Sequence, residues 1–365
     1  SSLRLRIWRL GVRLFSGALK NMKIIDKKIP EINENEKLNS IFINSFNDGF
    51  KLTSNILSKN FFLDSHNYFP LTEDLHTFSD FFSWGSSLKY ENFYSKNFEE
   101  KFNENINNFK SLSNVFVLGS SSVDNYYRNI ITFLPRLFFN KEKKIKLALH
   151  RNSSNKFRNF IKFLCEKMNV DVQFIYLDDG FYKFLNSFIP QFLNKKESIK
   201  ILNTLKVKNK IIKGKKIFIS RQNCGARNLI NESDVAKKLK EYDYKMVDLN
   251  DMDILKQIKI FSRADTIISP TGSGLTNMVF CNPGTKIIEI SPIYNFDYEN
   301  NLKFRFSQIA NFLNLEYHRI FADPVHLTNE DKNATKLILP NVSNESNYFK
   351  NLILNLEKIN EIGKI

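Results

Sequence analysis

The chain alternates between short apolar runs and longer stretches in which apolar residues recur every three or four positions. Short β-branched or apolar runs are typical of buried strands, and the longer spacing is typical of helices packed on a sheet. The pattern predicts strands at 114–119, 144–150, 170–177, 215–220, 244–249, 265–269, 285–290 and 315–321. It predicts helices at 126–139, 156–168, 231–242, 253–263, 275–281 and 304–313. This alternation indicates an α/β fold with parallel sheets.

Other segments are less regular. Residues 22–110 carry aromatic clusters between polar turns and predict short strands and loops, with His66 and His76 lacking partners at metal-binding spacing. Residues 178–213 predict a further helix interrupted at Pro190, followed by a lysine-rich linker near 205–214. A polar loop is expected at 322–345 and an amphipathic helix at 346–360.

A length of 365 residues suits two domains. We expect an amino-terminal α/β domain at 22–210, a Rossmann-like domain at 211–325 and a tail at 326–365. Residues 1–21 are Arg-rich and differ in composition from the rest. They fit either a basic helix on a membrane surface or a translated upstream segment before Met22; we favour the second and place them outside the fold.

The composition, 42% hydrophobic and 25% charged, is that of a soluble globular protein. The formal net charge of +16 favours an anionic partner such as a nucleotide, a nucleic acid or an acidic membrane face. Lysines carry most of this charge and are scattered, and four of the 13 arginines fall within the first 13 residues. A nucleic-acid binder more often clusters its arginines, so we expect no nucleic-acid partner.

Cysteine usage and hydropathy narrow the classes further. The three cysteines are far apart and form no CxxC pair, which fits a reducing compartment and disfavours a disulfide framework or a zinc site. No run approaches the ~18 apolar residues of a membrane span. We therefore expect a cytoplasmic protein.

Residues 270–274, Pro-Thr-Gly-Ser-Gly, form what we call the glycine loop, between a strand at 265–269 and a helix at 275–281. Glycines at such a junction allow close backbone approach, and free N–H groups at a helix start attract phosphate. Ser273 and Thr276 offer hydroxyl donors in addition. The motif is neither GxGxxG nor a P-loop, so taken alone it equally fits a tight turn without chemistry.

The arginine loop, residues 220–231, follows the strand at 215–220 and contains Arg221 and Arg227. Both loops follow strand carboxyl ends, where ligands bind in doubly wound sheets. Arg binds phosphate through two parallel hydrogen bonds, so a diphosphate site is favoured over a solvated charged loop. Asn231 reads as a helix N-cap. Glu289, inside a buried strand, could accept from a ribose or pair with Lys or Arg at the sheet rim, and we hold both alternatives open.

These motifs together resemble glycosyltransferase family 61. The matching segments run in the same order and spacing, strongly over 215–292 and more weakly upstream: KIFISRQN, NLINESDV, MDILKQIKIFSRADTIISPTGSGLTNMVF, KIIEISP and, before them, DNYYRNIITFLPRLF. The resemblance implies a GT-B fold, with two Rossmann-like domains facing a cleft. It implies an inverting transfer from a nucleotide-diphosphate sugar, without a bound metal or further cofactor and with a UDP sugar as the first choice of donor.

The resemblance also implies roles for single residues. Arg221 and Arg227 would grip the donor diphosphate and Glu289 would lie near the ribose, while Asn125 and Arg136 would face the cleft from the acceptor domain. The donor would be enclosed by backbone N–H groups of Gly272, Ser273, Gly274, Leu275 and Thr276.

The chain departs from the family where His is common at Thr271 and where His and Asp are common at Arg128 and Thr132. An inverting transfer needs a general base, so another residue must serve. The candidates are Asp124, Asp178, Asp179 and His150, and we rank Asp124 first because it precedes the NYY segment. Arg128 would stabilise the leaving diphosphate.

The resulting expectation is a bacterial glycosyltransferase of surface polysaccharide biosynthesis. Its partners would be a nucleotide sugar and a glycan or lipid-linked glycan acceptor, with peripheral contact to an acidic inner membrane face. Two alternatives stay open: a catalytically impaired nucleotide-sugar-binding protein, and a basic nucleic-acid-binding protein.

Overall fold

The structure is a computed structural model. It describes residues 24–25, 56–65, 68, 70–71, 77–78, 104–121, 124–207, 211–222, 224, 227–295, 300–325, 347 and 350–362. The predictions for 1–21, for His66 and His76, and for most of the loop at 322–345 lie outside these residues. The chain forms two compact units. The first comprises Ser1–Asp124 and Thr132–Asn194, and the second comprises Asn125–Ile131 and Lys195–Ile365.

The first unit is built on a mixed sheet. Its described strands are β1 (Ile24–Ile25), β2 (Ile56–Asp64), β3 (Pro70–Leu71), β4 (Thr77–Phe78), β5 (Lys110–Ser113), β6 (Val115–Val117), β7 (Lys144–His150), β8 (Asp171–Leu177) and β9 (Phe181–Pro190). The main sheet has the order β3-β2-β9-β6-β7-β8, and β5 also pairs with β9. Strands β6, β7, β8 and β9 pair in parallel, whereas β2 runs antiparallel to β9.

Strand β9 corrects the sequence prediction, which placed a helix over this part of 178–213. Its sequence FYKFLNSFIP buries Tyr182, Phe184 and Ile189 and is rich in aromatic residues, which favour the pleated surface of a strand. Pro190 ends the strand, where its missing N–H costs little. The predicted interruption at Pro190 is thus a strand end.

The helical segment predicted at 126–139 is present but irregular. It consists of α1 (Tyr126–Arg128), a π-helical stretch at Asn129–Phe133 and a 3₁₀-helix at Leu134–Phe139. Pro135 lies near the start of the 3₁₀-helix and cannot donate a backbone hydrogen bond, which explains the change of pitch. The next helix, α2 (Asn155–Lys167), is regular and begins after Ser154, whose side chain accepts from Phe157 N.

The second unit contains a parallel sheet and helices. Its described strands are β10 (Lys216–Ile219), β11 (Tyr244–Val247), β12 (Thr266–Pro270), β13 (Lys286–Ser291), β14 (Glu316–Phe321), β15 (Asp323–Val325) and β16 (Asn351–Ile353). Its α-helices beyond α1 are α3 (Lys195–Asn203), α4 (Glu232–Lys240), α5 (Ile254–Arg263), α6 (Asn300–Lys303), α7 (Arg305–Leu313) and α8 (Glu357–Ile362). Ser273–Phe280 is a 3₁₀-helix rather than the α-helix that its apolar run suggested.

The main sheet of this unit has the order β11-β10-β12-β13-β14, with every neighbouring pair parallel. All five residues of β12 are buried, as expected for a central parallel strand covered on both faces. The chain proceeds from β10 to β11 on one side and then to β12 on the other. The prediction of a mixed α/β fold with parallel strands is confirmed.

Helix α3 belongs to the second unit, so the division at Asn194 and Lys195 comes before the boundary expected near 210. Asn203 Nδ2 donates to the carbonyl oxygens of Val279 (2.7 Å) and Cys281 (2.9 Å). Lys195 Nζ donates to Gln308 Oε1 at 2.8 Å. These bonds hold both ends of α3 within the second unit.

The carboxyl-terminal region also differs from its prediction as one helix over 346–360. β16 pairs antiparallel with β15, and α8 begins only at Glu357. Asn231 accounts for the extended backbone, because its side chain donates to Leu354 O (2.8 Å) and accepts from Leu354 N (3.1 Å). Asn231 occupies the N-cap position of α4, as predicted, but makes no side-chain cap hydrogen bond there.

Lys195 makes a pH-dependent contribution to stability. Burial, followed by the charge of Arg305, lowers the pKa of Lys195 to about 7. Between about pH 7 and about pH 10 the unfolded chain therefore binds more protons than the folded chain. Because the folded pKa is the lower one, this group's contribution to the free energy of unfolding rises with pH over that window.

We expect Lys195→Met to remove this slope. The difference in unfolding midpoint, variant minus unsubstituted protein, should be largest near pH 7 and should shrink as the pH approaches 9. The reason is that the unsubstituted protein no longer has to bury a charge once Lys195 deprotonates. Thermal unfolding across this range measures the difference. Lys196→Met, at the exposed neighbouring lysine, is the control, and an equal pH trend in both variants would contradict the assignment.

Candidate functional site

The two loops predicted to bind a ligand leave neighbouring strands of the second unit. β10 and β12 pair in parallel, and the order of the sheet changes direction between them. The arginine loop follows β10 and the glycine loop begins at the end of β12. In open α/β sheets, ligands bind outside the carboxyl ends of the strands at this point of reversal.

Glu232 organises the start of the arginine loop. It is 1% exposed at the first position of α4, and its carboxylate accepts from Ser220 Oγ (2.5 Å) and from Arg221 N (2.8 Å). The sequence predicts a helix over 231–242 and gives the Glu232 side chain no role within it. Its buried carboxylate instead fixes the backbone from which the Arg221 side chain extends.

The Arg221 side chain connects the two loops. Its Nε donates to the carbonyl oxygen of Arg227 at 3.2 Å. A Cβ atom placed on Gly272 would lie 1.7 Å from a terminal nitrogen of the Arg221 guanidinium. Gly272 has an extended backbone (φ 173°), so the position requires glycine for space and not for its conformational freedom. Arg221, Arg227 and Gly272 are therefore brought together, as predicted.

The glycine loop continues into the amino end of the 3₁₀-helix. Ser273 and Gly274 are partly exposed, whereas Leu275 is fully buried and its N–H donates to Gly272 O (3.1 Å). Leu275 thus shapes the turn and packs in the core. Thr276 is also fully buried, and its Oγ1 has no hydrogen-bond partner among the described residues. Gly274 leaves little room, since an added Cβ would lie 3.1 Å from Leu249 Cδ1.

A buried polar network supports the glycine loop from below. Asn277 Nδ2 donates to Gln257 Oε1 (2.7 Å) and to Gly274 O (3.0 Å). Gln257 in turn donates to the carbonyl oxygens of Leu249 (3.2 Å) and Met252 (2.8 Å). Gln257 and Asn277 both lie in the sequence segments that resemble the family. Their contacts show that they tie the glycine loop to the start of α5 and the turn after β11.

Tyr126 joins the same network from a distant part of the chain. Its hydroxyl donates to Asn277 Oδ1 at 2.6 Å, and burial raises the pKa of Tyr126 although the hydrogen bond with Asn277 acts in the opposite direction. The Arg305 guanidinium lies 4.8 Å from the centre of the Tyr127 ring. Residues 125–131 therefore belong to the second unit, and so does Arg128, which the sequence placed in the first domain.

Glu289 is 1% exposed and pairs with β14, as in the salt-bridge alternative. Its Oε2 accepts from Tyr317 Oη and from Arg319, whose guanidinium nitrogen lies 3.2 Å away. Burial is the largest single influence on Arg319 and lowers its pKa, but the charges of Glu289 and Tyr317 and the hydrogen bonds with them together make the net shift upward. Of the two predicted alternatives, the structure shows the ion pair, and it is made with Arg319 of the neighbouring strand. The ribose contact stays a prediction.

The first unit holds the candidate general bases around the carboxyl ends of its parallel strands. Asp124 Oδ1 accepts from Ser154 N (3.1 Å), Asp178 pairs with Arg151 (2.5 Å), and His150 Nε2 lies 3.0 Å from Asp179 Oδ1. The Arg151 side chain lowers the pKa of Asp178, first through its hydrogen bond and also through its charge.

The prediction that Arg136 faces a cleft is wrong. Its side chain is 0% exposed and donates to the carbonyl oxygens of Leu118 (2.7 Å) and Pro190 (2.6 Å), with the guanidinium over the Phe192 ring. Burial lowers the pKa of Arg136 to about 9, so the group stays charged at neutral pH. Arg136 satisfies backbone carbonyls inside the first unit, where no substrate reaches it.

Among the described residues, no group of three or more His, Cys, Asp or Glu side chains is placed to hold a metal ion. In the same part of the chain, no helix combines the length and apolarity needed to cross a membrane.

We expect Tyr126→Phe to destabilise the protein by about 1–3 kcal/mol, because the buried Asn277 Oδ1 would lose its donor. Denaturant unfolding measures the change. Tyr242→Phe is the matched control: it removes an exposed hydrogen bond to Asn360 and should change stability by no more than about 0.5 kcal/mol. Equal effects of the two substitutions would show that the Tyr126 bond adds nothing beyond a surface contact.

The sequence comparisons agree with this organisation. No curated protein matches the chain. A family model described as Glycosyltransferase 61 matches residues 44–288, which include β10 to β12, the start of β13 and both loops of the candidate site. The match covers more than half of the 365 residues. The chain is a glycosyltransferase and belongs to glycosyltransferase family 61.

Proposed function

We propose that the protein transfers a sugar from a nucleoside-diphosphate sugar to a glycan acceptor, with inversion and without a metal ion. The donor would bind in the second unit between the arginine and glycine loops. The observation that carries the proposal is the Arg221 guanidinium packed against Gly272 at the point where the sheet order reverses.

The hydrogen-bond donors around the contact of Arg221 with Gly272 suit a diphosphate ligand. Arg221 and Arg227 supply positive charge from one loop, and arginine binds phosphate through paired hydrogen bonds. Ser273 and the amino end of the 3₁₀-helix supply further donors from the other loop.

Fixed positive charges can also stabilise the negative charge that develops during the reaction. In an inverting transfer the leaving diphosphate gains negative charge as the bond to the sugar breaks, and preorganised donors stabilise it. Arg128 belongs to the same unit as the two loops, which supports its proposed role at the leaving group. With arginines in these positions, the chemistry does not require a metal at the diphosphate.

Glu289 would lie beyond the diphosphate, at the nucleoside end. Its Oε2 is already shared by Tyr317 and Arg319, so a ribose hydroxyl would have to reach Oε1. The ion pair of Glu289 with Arg319 also joins register partners of β13 and β14.

We further propose that the two α/β units act as the two halves of a GT-B enzyme. A UDP sugar is the preferred donor and a growing surface polysaccharide, free or lipid-linked, is the preferred acceptor. The net charge of +16 supports a place in the bacterial cytoplasm at the inner face of an acidic membrane.

Nucleotide binding provides the first test. In a thermal-shift panel of nucleotide sugars and nucleoside diphosphates, at least one should stabilise the protein. Arg221→Ala should weaken that ligand by about 1.5–3 kcal/mol, the value of a charge-assisted hydrogen bond. Lys286→Ala is the charge-matched control, because Lys286 lies at the amino end of β13, whereas both loops follow the carboxyl ends of their strands. Unchanged affinity in Arg221→Ala would refute the donor site.

A second test separates the two glycines. Gly272→Ala places a methyl group 1.7 Å from the Arg221 guanidinium and must displace it, so nucleotide affinity should fall at least about tenfold. Gly274→Ala meets only the end of the flexible Leu249 side chain at 3.1 Å and should have a smaller effect. Titration of the ligand found in the panel measures both. A larger loss in Gly274→Ala would reverse the proposed roles.

A further inference from the structure

The carboxyl-terminal strand β16 pairs with two partners. On one side it runs antiparallel to β15. On the other side it pairs in parallel with the end of the arginine loop: Leu352 N donates to Asn228 O (2.8 Å), and Ile230 N donates to Leu352 O (2.8 Å). Leu229 and Leu352 are both buried in the core of the second unit, so this junction is firmly anchored. The arginine loop is thus held by a segment that comes far later in the chain.

One peptide group of the arginine loop is held at both ends. Its N–H, on Asn228, donates to Asn351 Oδ1 at 2.9 Å. Its carbonyl oxygen, on Arg227, accepts from Arg221 Nε at 3.2 Å. A peptide group is planar and rigid, so fixing the direction of the N–H also fixes the direction of the carbonyl oxygen. Asn351 therefore acts on the guanidinium of Arg221 through the 227–228 peptide.

The backbone just before this peptide has an unfavourable conformation. Arg227 has φ 60°, in the left-handed region that residues other than Gly, Asn and Asp rarely occupy. Such a conformation persists only where surrounding contacts hold it, and it occurs often at ligand-binding sites. Here the next residue supplies contacts from its side chain as well, because Asn228 Nδ2 donates to Cys224 O at 2.7 Å. Loss of the Asn351 acceptor should weaken this hold and let the 227–228 peptide rotate.

We propose that Asn351 is a positioning residue of the donor site. It orients the 227–228 peptide so that the Arg221 guanidinium is held against Gly272, where the diphosphate would bind. This inference rests on the proposed function. It extends the donor site into the carboxyl-terminal tail, beyond residue 288, where the family match ends. All of these residues belong to the second unit.

The test measures the affinity of the folded protein for a nucleoside diphosphate, with whichever of UDP, GDP, CDP and ADP gives the largest thermal shift. Asn351→Ala should weaken binding about three- to tenfold. One hydrogen bond shifts a local equilibrium by about that factor, and affinity falls with the fraction of protein in the competent arrangement. Asn360→Ala is the matched control and should leave the affinity unchanged, because Asn360 lies on α8, where its Oδ1 accepts from Tyr242 Oη.

A double-mutant cycle separates positioning from a general loss of stability. In the Arg221→Ala background, Asn351→Ala should change the affinity by less than about twofold, because the guanidinium that the peptide orients is gone. Losses that multiply would show that Asn351 acts independently of Arg221 and would overturn the inference. A lower unfolding midpoint in Asn351→Ala with unchanged affinity would overturn it as well.

A second measurement needs no substitution. Because coupling between two events is reciprocal, a ligand that requires this arrangement must in turn favour the hydrogen bond from Asn228 N to Asn351. Hydrogen exchange at the Asn228 amide should therefore slow when the nucleoside diphosphate saturates the protein. The Lys256 amide is the control, because it also donates to a side-chain oxygen, Asp253 Oδ1, at the start of α5. No slowing at Asn228, or equal slowing at both amides, would contradict the proposal.

The outcomes distinguish this inference from the proposed function. If no nucleoside diphosphate binds the unsubstituted protein, the diphosphate site of the proposed function fails, and this inference fails with it. If a nucleoside diphosphate binds and Asn351→Ala binds it equally well, only the inference fails.

Discussion

The contact between the Arg221 guanidinium and the backbone of Gly272 is the constraint on which the candidate donor site depends. It requires a residue without a side chain in the middle of the glycine loop, and it requires the backbone of Arg221 to be fixed. Glu232 meets the second need by fixing Ser220 and Arg221 through a carboxylate that is itself buried. The charge on Arg221 is thereby placed before any ligand arrives, which is the condition for electrostatic stabilisation without reorganisation.

A second level of support lies beneath this contact. Asn277 uses its amide to bind Gly274 and Gln257, and its carbonyl to accept from Tyr126. Asn277 and Gln257 are both buried, so leaving either amide unsatisfied is costly. The network explains why Asn277 occurs in the mostly apolar 3₁₀-helix: its side chain fixes the position of the glycine loop relative to the sheet.

Sequence patterns predicted the parts of the fold that local chemistry determines. Runs of β-branched residues predicted strands β12 and β13, and two arginines in a loop after a strand carboxyl end predicted a diphosphate site at Arg221 and Arg227. The errors arose where distant contacts decide. Strand β9 differs from the predicted helix because its lysine and asparagine interrupt the alternation of apolar residues. Strand β16 differs because Leu352 hydrogen-bonds with Asn228 and Ile230, far earlier in the chain. The bond from Tyr126 to Asn277 joins residues 151 positions apart, so no local pattern reveals it.

The assignment of Asn125–Ile131 to the second unit means that the chain passes from one unit to the other three times, after Asp124, Ile131 and Asn194. No single cut separates the units: a fragment beginning at Lys195 would lack the tyrosine that satisfies Asn277. During synthesis, Tyr126 must wait for about 150 further residues before its partner emerges from the ribosome. The second unit therefore cannot be completed as an independent carboxyl-terminal fragment, and its assembly depends on a segment made while the first unit was still being translated.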